Sequence, residues 1–109
     1  MKITAKYIRQ KGPPGHFAVI EVDFELADKM STHNLSTLPG AYVAAVFRGI
    51  LERLVKPHNI TIVSGKVHPI DSSITSFYRA GIEAADQYLA SKHKRYLDIT
   101  FTEDIEWLS

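Results

Sequence analysis

The chain has 109 residues, of which 45% are hydrophobic and 23% are charged, and its formal net charge is +1. This length and balance predict a single folded domain and argue against a disordered chain. The lack of cysteine excludes disulfide bonds, thiolate metal ligands and cysteine nucleophiles. No apolar run approaches the roughly 20 residues that cross a bilayer, so we expect a cytoplasmic protein that does not contact membranes.

The charges are unevenly distributed along the sequence. Before Glu21 the chain carries basic residues and no acidic one: Lys2, Lys6, Arg9 and Lys11. A second basic group occupies residues 92–95, whereas residues 101–109 form an acidic tail with Glu103, Asp104 and Glu106. The body of the domain is therefore mildly basic, although this net charge alone does not require a nucleic-acid partner.

Two N-terminal segments show the alternation of apolar and polar residues that is typical of β-strands. They cover residues 2–7 and 18–26, and the glycines and prolines of 12–15 predict a turn between them. We expect Lys11 to face His16 in an antiparallel hairpin, because this register places apolar pairs on one face and opposite charges on the other. The predicted pairs are Ile3 with Phe24, Ala5 with Val22, Tyr7 with Ile20, Lys6 with Glu21 and Lys2 with Glu25.

The remaining residues alternate between predicted helices and strands. In chain order, the pattern predicts an edge strand over 29–34, a helix capped by Thr37 that ends at 56–57, a buried strand over 60–63, a loop over 65–70, a helix capped by 71–73 and a last strand over 96–102. Gly49 and Gly81 are unfavourable inside helices, and a close approach of the two helices would explain both. These elements predict an α+β fold in which both helices cover one face of a sheet.

The residues around Gly65 and the histidines do not form a recognisable cofactor site. A phosphate-binding loop needs a glycine five residues before Gly65 and a hydroxyl residue after Lys66, but Ile60 and Val67 occupy those positions. The five histidines, at positions 16, 33, 58, 68 and 93, lack the spacing of metal ligands, and we interpret them as loop and surface residues. We therefore expect no cofactor and no metal.

His68, Asp71 and the serines that follow supply the residue types of a hydrolase triad. A triad is defined by its geometry, however, and polar residues that are adjacent in sequence more commonly form a loop and a helix cap. We interpret Asp71 as part of the cap of the second helix. An enzyme is the third hypothesis for this chain, after the two given below, and we expect no catalytic residues.

Two segments rich in glycine and proline, 12–15 and 65–70, combine a stiff backbone with cations or imidazoles. The basic and histidine residues in or beside them are Arg9, Lys11, His16, Lys66 and His68. If both segments emerge at the same end of the sheet, they suit contact with phosphate groups without reading of bases. The alternative is that they are tight turns with the polar neighbours that turns require.

Three segments resemble domain IV of translation elongation factor G and its relatives, which include ribosome-protection factors. Residues 6–17 (KYIRQKGPPGHF) are similar to the opening K-x-x-R-Q-[ST]-G-G-x-G-Q-[YF] of that domain. Residues 38–50 (LPGAYVAAVFRGI) resemble its I-P-x-x-Y-x-x-A-V-x-x-G-I helix, and residues 65–77 (GKVHPIDSSITSF) resemble G-x-Y-H-x-V-D-S-S-x-x-x-F. The segments occur in the family's order within residues 1–91, and the D-S-S run is the most specific of them.

The resemblance implies a two-layer α/β sandwich, with a mixed sheet of about four strands and a left-handed β-α-β crossover. It also implies a domain without catalysis, whose tip enters the decoding region of the small ribosomal subunit and contacts messenger and transfer RNA. Carried over by matching positions, the first tip loop contains Arg9, Gln10, Gly12 and Gly15, and the second contains Gly65, His68, Asp71 and Ser72. His68 would be the exposed residue of the second loop.

The chain also departs from the family. Pro13 replaces a glycine, His16 a glutamine and Val67 a tyrosine, while Ile74 stands where the family has an acid. The family's GTPase domain is not part of these residues, so we expect one domain over 1–109 with no GTPase of its own.

We expect the tip loops to contact small-subunit ribosomal RNA, as in protein biosynthesis. The predicted RNA-binding residues are Arg9, Gln10, Lys11, Gly12, Gly15, His16, Gly65, Lys66 and His68. The alternative is a protein-interaction module that has kept the fold without binding the ribosome. Such a module would form a homo-oligomer through the C-terminal tail, residues 101–109, which contains Trp107.

Overall fold

The computed structural model describes the backbone of residues 1–10 and 15–108 and the side chains of residues 1–10 and 15–93. In this part of the chain, strands and helices follow one another as β1 (Lys2–Arg9), β2 (His16–Leu26), β3 (Ser31–Asn34), α1 (Gly40–Leu51), β4 (His58–Lys66) and α2 (Ile74–Leu108). The predicted α+β fold class is therefore confirmed. Neither described helix combines the length and apolar character needed to span a bilayer.

The strands form one mixed sheet in the order β1-β2-β4-β3. The β1–β2 and β2–β4 pairs are antiparallel, and the β3–β4 pair is parallel. Since α1 lies between β3 and β4 in the chain, these three elements form a β-α-β unit on neighbouring strands. The left hand of this crossover stays a prediction.

The core lies between one face of the sheet and the two helices. Alternate residues of the strands are buried there, together with apolar residues of α1 and α2: Ile3, Ala5, Ala18, Ile20, Val22, Phe24, Ala45, Val46, Ile50, Ile60, Ile62, Phe77, Ala80, Ala84, Ala85 and Tyr88. The intervening strand residues, such as Lys2, Thr4 and Lys6, are exposed on the other face. The two-residue period of the sequence therefore separates a core face from an open face, as predicted.

The predicted register of the hairpin is wrong by two residues. Arg9 rather than Lys11 is the partner of His16, and Lys6 faces Val19 rather than Glu21. The apolar pairs are Ile3 with Val22, Ala5 with Ile20 and Tyr7 with Ala18, and Lys2 pairs with Asp23. A shift of two residues keeps every side chain on its predicted face but changes its partner. The alternation of apolar and polar residues has a period of two, so it fits both registers equally well, and the connection spans residues 10–15 rather than 12–15.

The predicted close approach of the two helices is confirmed at Gly49 and Gly81. A Cβ atom on Gly49 would collide with the carbonyl oxygen of Tyr78, and one on Gly81 would collide with the carbonyl oxygen of Val46. The backbones of α1 and α2 are therefore in direct contact at these positions. Only glycine allows that contact, which offsets its unfavourable helix propensity.

The predicted cap of the first helix is wrong, and that of the second, residues 71–73, is confirmed at one residue. Thr37 does not cap α1, whose N-cap is Pro39 and has no side-chain capping bond. For α2, the hydroxyl of Ser73 accepts a hydrogen bond from the backbone N–H of Ser76 at 3.1 Å. Ser73 therefore caps the second helix, whereas Asp71 lies two residues before the cap.

Three further predictions of the chain's secondary structure are wrong. The first helix ends at Leu51 rather than at 56–57. The loop predicted over 65–70 begins at Val67, because Gly65 and Lys66 are the last residues of β4. The strand predicted over 96–102 belongs to α2, which continues to Leu108. No glycine or proline occurs between residues 82 and 108, so nothing in the sequence interrupts the helix.

Candidate functional site

The start of β2 and the segment that joins β4 to α2 lie against each other at one end of the sheet. The backbone N–H of Phe17 donates to the carbonyl oxygen of Asp71 at 3.0 Å. The hydroxyl of Ser72 donates to the carbonyl oxygen of Phe17 at 2.7 Å. We call this region, residues 9–10, 15–17 and 66–73, the tip. These bonds bring together the flanks of both segments that the sequence singled out.

The tip's second segment is a turn closed by Ser72. Its hydroxyl accepts a hydrogen bond from the backbone N–H of His68 at 2.7 Å, and its own N–H donates to the carbonyl oxygen of His68 at 3.2 Å. Together with the bond to Phe17, these contacts use the Ser72 hydroxyl both as donor and as acceptor. The D-S-S motif thus shapes the backbone of this turn.

The ring of His68 is held by the same turn. Its Nδ1 atom accepts hydrogen bonds from the backbone N–H groups of Ile70 at 3.2 Å and of Asp71 at 3.1 Å. An Nδ1 atom that accepts carries no proton, so the proton of the neutral ring is on Nε2. The Asp71 carboxylate, 3.8 Å from Nδ1, therefore does not form an ion pair through that nitrogen. The ring is 44% exposed and offers Nε2–H as a donor.

His16 points toward the helices and contributes to the structure of the tip. Its Nδ1 lies 2.9 Å from the hydroxyl oxygen of Ser76, which is fully buried and lies 2.9 Å from the hydroxyl of Ser73. The edge of its ring packs on Tyr7 with centroids 5.5 Å apart. The interpretation of His16 as a loop residue is therefore wrong, and the sequence did not identify Ser76 as its partner.

Arg9 is exposed but is turned toward α2. Its guanidinium lies 4.5 Å from the centre of the Tyr7 ring, and one of its nitrogens is 3.6 Å from a carboxylate oxygen of Glu83. Gln10, the next residue, is exposed. The tip therefore keeps both side chains accessible, although the charge of Arg9 is partly offset by Glu83.

Close packing requires glycine both at Gly15 in the tip and at Gly65, which precedes the tip in β4. A Cβ atom on Gly15 would lie 2.9 Å from the carbonyl oxygen of Arg9 and 3.2 Å from Cγ of Asp71. A Cβ atom on Gly65 would lie 2.6 Å from a methyl carbon of Leu38, at the start of α1. Gly65 therefore does not belong to an exposed tip loop, because it is covered by a core side chain. Lys11 and Gly12 lie outside the described residues.

Lys66 and Phe17 complete the accessible surface of the tip. Lys66 is exposed at the end of β4, where it is the neighbour of Val19 in the sheet. The half-buried ring of Phe17 lies 5.7 Å from the ring of His68, with an angle of 46° between them. The tip can thus present a lysine ammonium, an imidazole N–H and an aromatic face to a ligand.

Among the described residues, a raised pKa occurs at Tyr78, on the helix pair. The hydrogen bond from its hydroxyl to Glu52 and the nearby negative charge raise the pKa of Tyr78, but this pair joins α1 to α2 away from the tip. Within the described residues, no three histidine or acidic side chains are grouped as a metal site.

Comparisons with known proteins identify the fold of the chain but do not assign it to a family. No protein-family model matches the chain. Its structure is similar to part of the crystal structure of ttk003000868 from Thermus thermophilus, with a TM-score of 0.74 and 23% sequence identity. The match covers 79% of this chain and 15% of that protein, so the chain corresponds to a small part of its length. At this identity the similarity establishes a shared fold and leaves the activity open.

Proposed function

We propose that this domain resembles domain IV of elongation factor G in function as well as in motif, and that its tip contacts RNA of the small ribosomal subunit. The observation that carries the proposal is the pair of hydrogen bonds from Phe17 to Asp71 and from Ser72 to Phe17. They join the two segments that match the family's tip loops. The shared fold with a much longer protein supports the comparison without extending it to that protein's activity.

The chemistry of the tip suits an RNA backbone. Lys66 supplies a positive charge, and His68 supplies a neutral N–H donor that a phosphate or a ribose hydroxyl can accept. The half-buried ring of Phe17 adds an aromatic surface on which a base can stack. Such contacts position RNA without selecting a sequence. We expect this of a domain that binds the backbone of ribosomal RNA.

We also propose that the tip acts by binding and not by catalysis. The hydroxyl of Ser72 is occupied by two main-chain groups, and the Nδ1 atom of His68 by two others. A nucleophilic serine requires instead a hydroxyl that donates to a neighbouring base. The polar residues that resemble a triad in sequence are thus better explained as the framework of the turn.

The proposal is tested by measuring binding of the full chain to purified small ribosomal subunits across a salt series. We expect Lys66→Gln to weaken binding and to lower the slope of log affinity against log salt by about 1, because one phosphate contact is removed. The matched control is Lys29→Gln, an exposed lysine between β2 and β3 at the other end of the sheet. It should leave both quantities unchanged.

Two results would overturn the proposal. One is that no binding is detected at low salt, where phosphate contacts are strongest. The other is that Lys66→Gln and Lys29→Gln weaken binding equally, because a nonspecific charge effect would then account for it. The alternative function, a homo-oligomeric interaction module, predicts self-association that is independent of both lysines.

A further inference from the structure

A cavity of about 380 Å³ lies at the opposite end of the sheet from the tip, where α1 has ended and β4 begins. Leu54, Val55 and Leu89 form its apolar part, and Val55 is 96% exposed. Its other lining residues are all basic or histidine: Arg53, Lys56, His58, Lys92 and His93. We call it the distal cavity. An open apolar depression with a basic rim suits an apolar segment that carries acidic side chains.

Much of the rim's charge has no acidic partner among the described side chains. Arg53 lies 3.5 Å from a carboxylate oxygen of Asp86, but no such ion pair involves Lys56 or Lys92 in that part of the chain. The ring of His58, by contrast, is satisfied, since its nitrogens lie 2.7 Å from the carbonyl oxygen of Lys56 and 2.9 Å from the hydroxyl of Tyr88. In the distal cavity, the ring nitrogens of His58 therefore have hydrogen-bond partners, whereas the charges of Lys56 and Lys92 can bind an acidic ligand.

The end of α2 has the complementary composition. Leu97, Phe101, Ile105 and Leu108 follow one another at intervals of four, four and three residues, which is the spacing of one face of a helix. Between them stand Glu103, Asp104 and Glu106, and no basic residue follows Arg95. The same chain thus carries a basic apolar cavity and an acidic apolar helix end.

The helix end cannot reach the distal cavity of its own chain while α2 is intact. α2 is continuous from Ile74 to Leu108, and Lys92 and His93 of this helix line the cavity. Asp104 is twelve residues beyond Lys92, which places it about 18 Å further along the helix axis. The occupant must therefore come from another molecule.

We propose that the distal cavity binds the acidic end of α2 from a second copy of this chain, so that two copies exchange their helix ends around a two-fold axis. If the two α2 helices cross antiparallel at residue 98, Asp104 lies level with the partner's Lys92. Trp107 then lies level with the partner's Leu89, at the apolar part of the cavity. In this dimer the basic residues of both cavities face acidic residues, because each chain supplies one cavity and one helix end.

The first experiment measures the mass of the full chain by sedimentation from micromolar to millimolar concentration. We expect a reversible change from monomer to dimer that is weakened by salt, because the rim contacts are ionic. Trp107 is the single tryptophan of the chain, so its fluorescence reports on the helix end alone. Its emission should shift to shorter wavelength over the same concentration range.

The second experiment reverses charges on each side of the contact. Asp104→Lys and Lys92→Glu should each raise the dimer dissociation constant at least about tenfold, because each creates two like-charge contacts in a symmetric dimer. The double variant restores opposite charges and should recover most of the affinity. Glu25→Lys is the control, since it makes the same charge change at an exposed position on the open face of the sheet. It should leave dimerisation unchanged.

Three results would overturn this proposal. The chain could stay monomeric at millimolar concentration, or it could form a dimer that neither charge reversal weakens. Alternatively, Asp104→Lys could change the Trp107 emission of a monomer, which would indicate that the helix end docks within its own chain. Thermal unfolding of each variant separates these results from misfolding. Ribosome binding by the tip is not required for any of them.

Discussion

The two ends of the molecule are built from different interactions. At the tip, loops are joined by hydrogen bonds in which Ser72 and His68 bind main-chain groups. At the distal cavity, basic and histidine residues surround an apolar part formed by Leu54, Val55 and Leu89, and nearby Tyr88 stacks on Phe24 with ring centroids 4.5 Å apart. Both ends carry positive charge, yet only the distal end surrounds an apolar depression with it.

The difference indicates which ligand each end suits. The loops of the tip are held in place by hydrogen bonds and need no apolar surface for this. The tip therefore offers polar groups, which suit a hydrated partner such as an RNA backbone. Covering an exposed apolar surface lowers the free energy because water is excluded from it. The distal cavity therefore suits a protein segment. The two ends can be perturbed separately, and both depend on the contact between α1 and α2.

The largest effect is expected at the helix contact between the two ends. Gly81→Val should reduce the free energy of unfolding by about 3 kcal/mol, because the added side chain collides with the carbonyl oxygen of Val46 and separates α1 from α2. Urea unfolding followed by circular dichroism measures this loss. Both proposed binding activities should weaken together as the folded fraction falls.

Gly40 provides the matched control for this substitution. It lies at the start of α1, and a Cβ atom there would meet nothing within 4 Å. Gly40→Ala should therefore leave stability unchanged or raise it by about 0.5 kcal/mol through lower entropy of the unfolded chain. A Gly81→Val protein as stable as the Gly40→Ala protein would contradict the helix contact.

A smaller and local effect is expected at the tip. Ser72→Ala removes the bonds to Phe17 and His68 and should lower the unfolding free energy by about 2 kcal/mol. It should also weaken binding to small ribosomal subunits, because the two segments are no longer held together. Dimerisation should be unaffected. A variant that keeps full ribosome binding would show that the tip does not need this connection.

The corresponding change at the distal end is Tyr88→Phe. It keeps the stacking on Phe24 but removes the hydroxyl that lies 2.9 Å from Nε2 of the buried His58. The unfolding free energy should fall by about 1 kcal/mol, with Tm measured by calorimetry as a second readout. Ribosome binding should not change. Equal effects of Ser72→Ala and Tyr88→Phe on both activities would remove the distinction between the ends.

The sequence predicted the layers of the fold better than its connections. The period of two residues in β2 identified the core face, and the costly glycines identified the helix contact, because burial and steric exclusion act directly on residue type. The hairpin register was missed by two residues, since it depends on the length of a loop whose prolines do not specify one geometry. The strand predicted over 96–102 was wrong because its β-branched residues also fit a helix without breakers.

The candidate site was predicted in part. The D-S-S motif located the turn at Ser72, but the bond from Ser72 to Phe17 joins residues 55 positions apart and leaves no local pattern. His58 was interpreted as a surface residue, yet it is buried against Tyr88. The sequence does not show whether a histidine beside an apolar strand is buried or exposed, because its burial depends on a partner on another element.

The smallest expected effect concerns the outer surface of the helix pair, which belongs to neither end. There the hydroxyl of Tyr78 donates a hydrogen bond to Glu52, and that bond and the carboxylate charge raise the pKa of Tyr78 above its ordinary value. A raised pKa means that the folded state holds the phenol proton more tightly than the unfolded state does. This contribution to stability is complete below the unfolded pKa of about 10 and is lost as the pH rises through the folded pKa.

Ultraviolet absorbance distinguishes ionised from neutral tyrosine, so the difference between titrations of the wild type and of Tyr78→Phe isolates this group. Glu52→Gln should lower the pKa of Tyr78 toward its ordinary value, because the amide keeps a hydrogen-bond acceptor but removes the charge. Ribosome binding and dimerisation should both be unchanged. If Glu52→Gln leaves the titration of Tyr78 unaltered, the pair does not persist in solution, and the helix contact rests on buried packing such as that at Gly49 and Gly81.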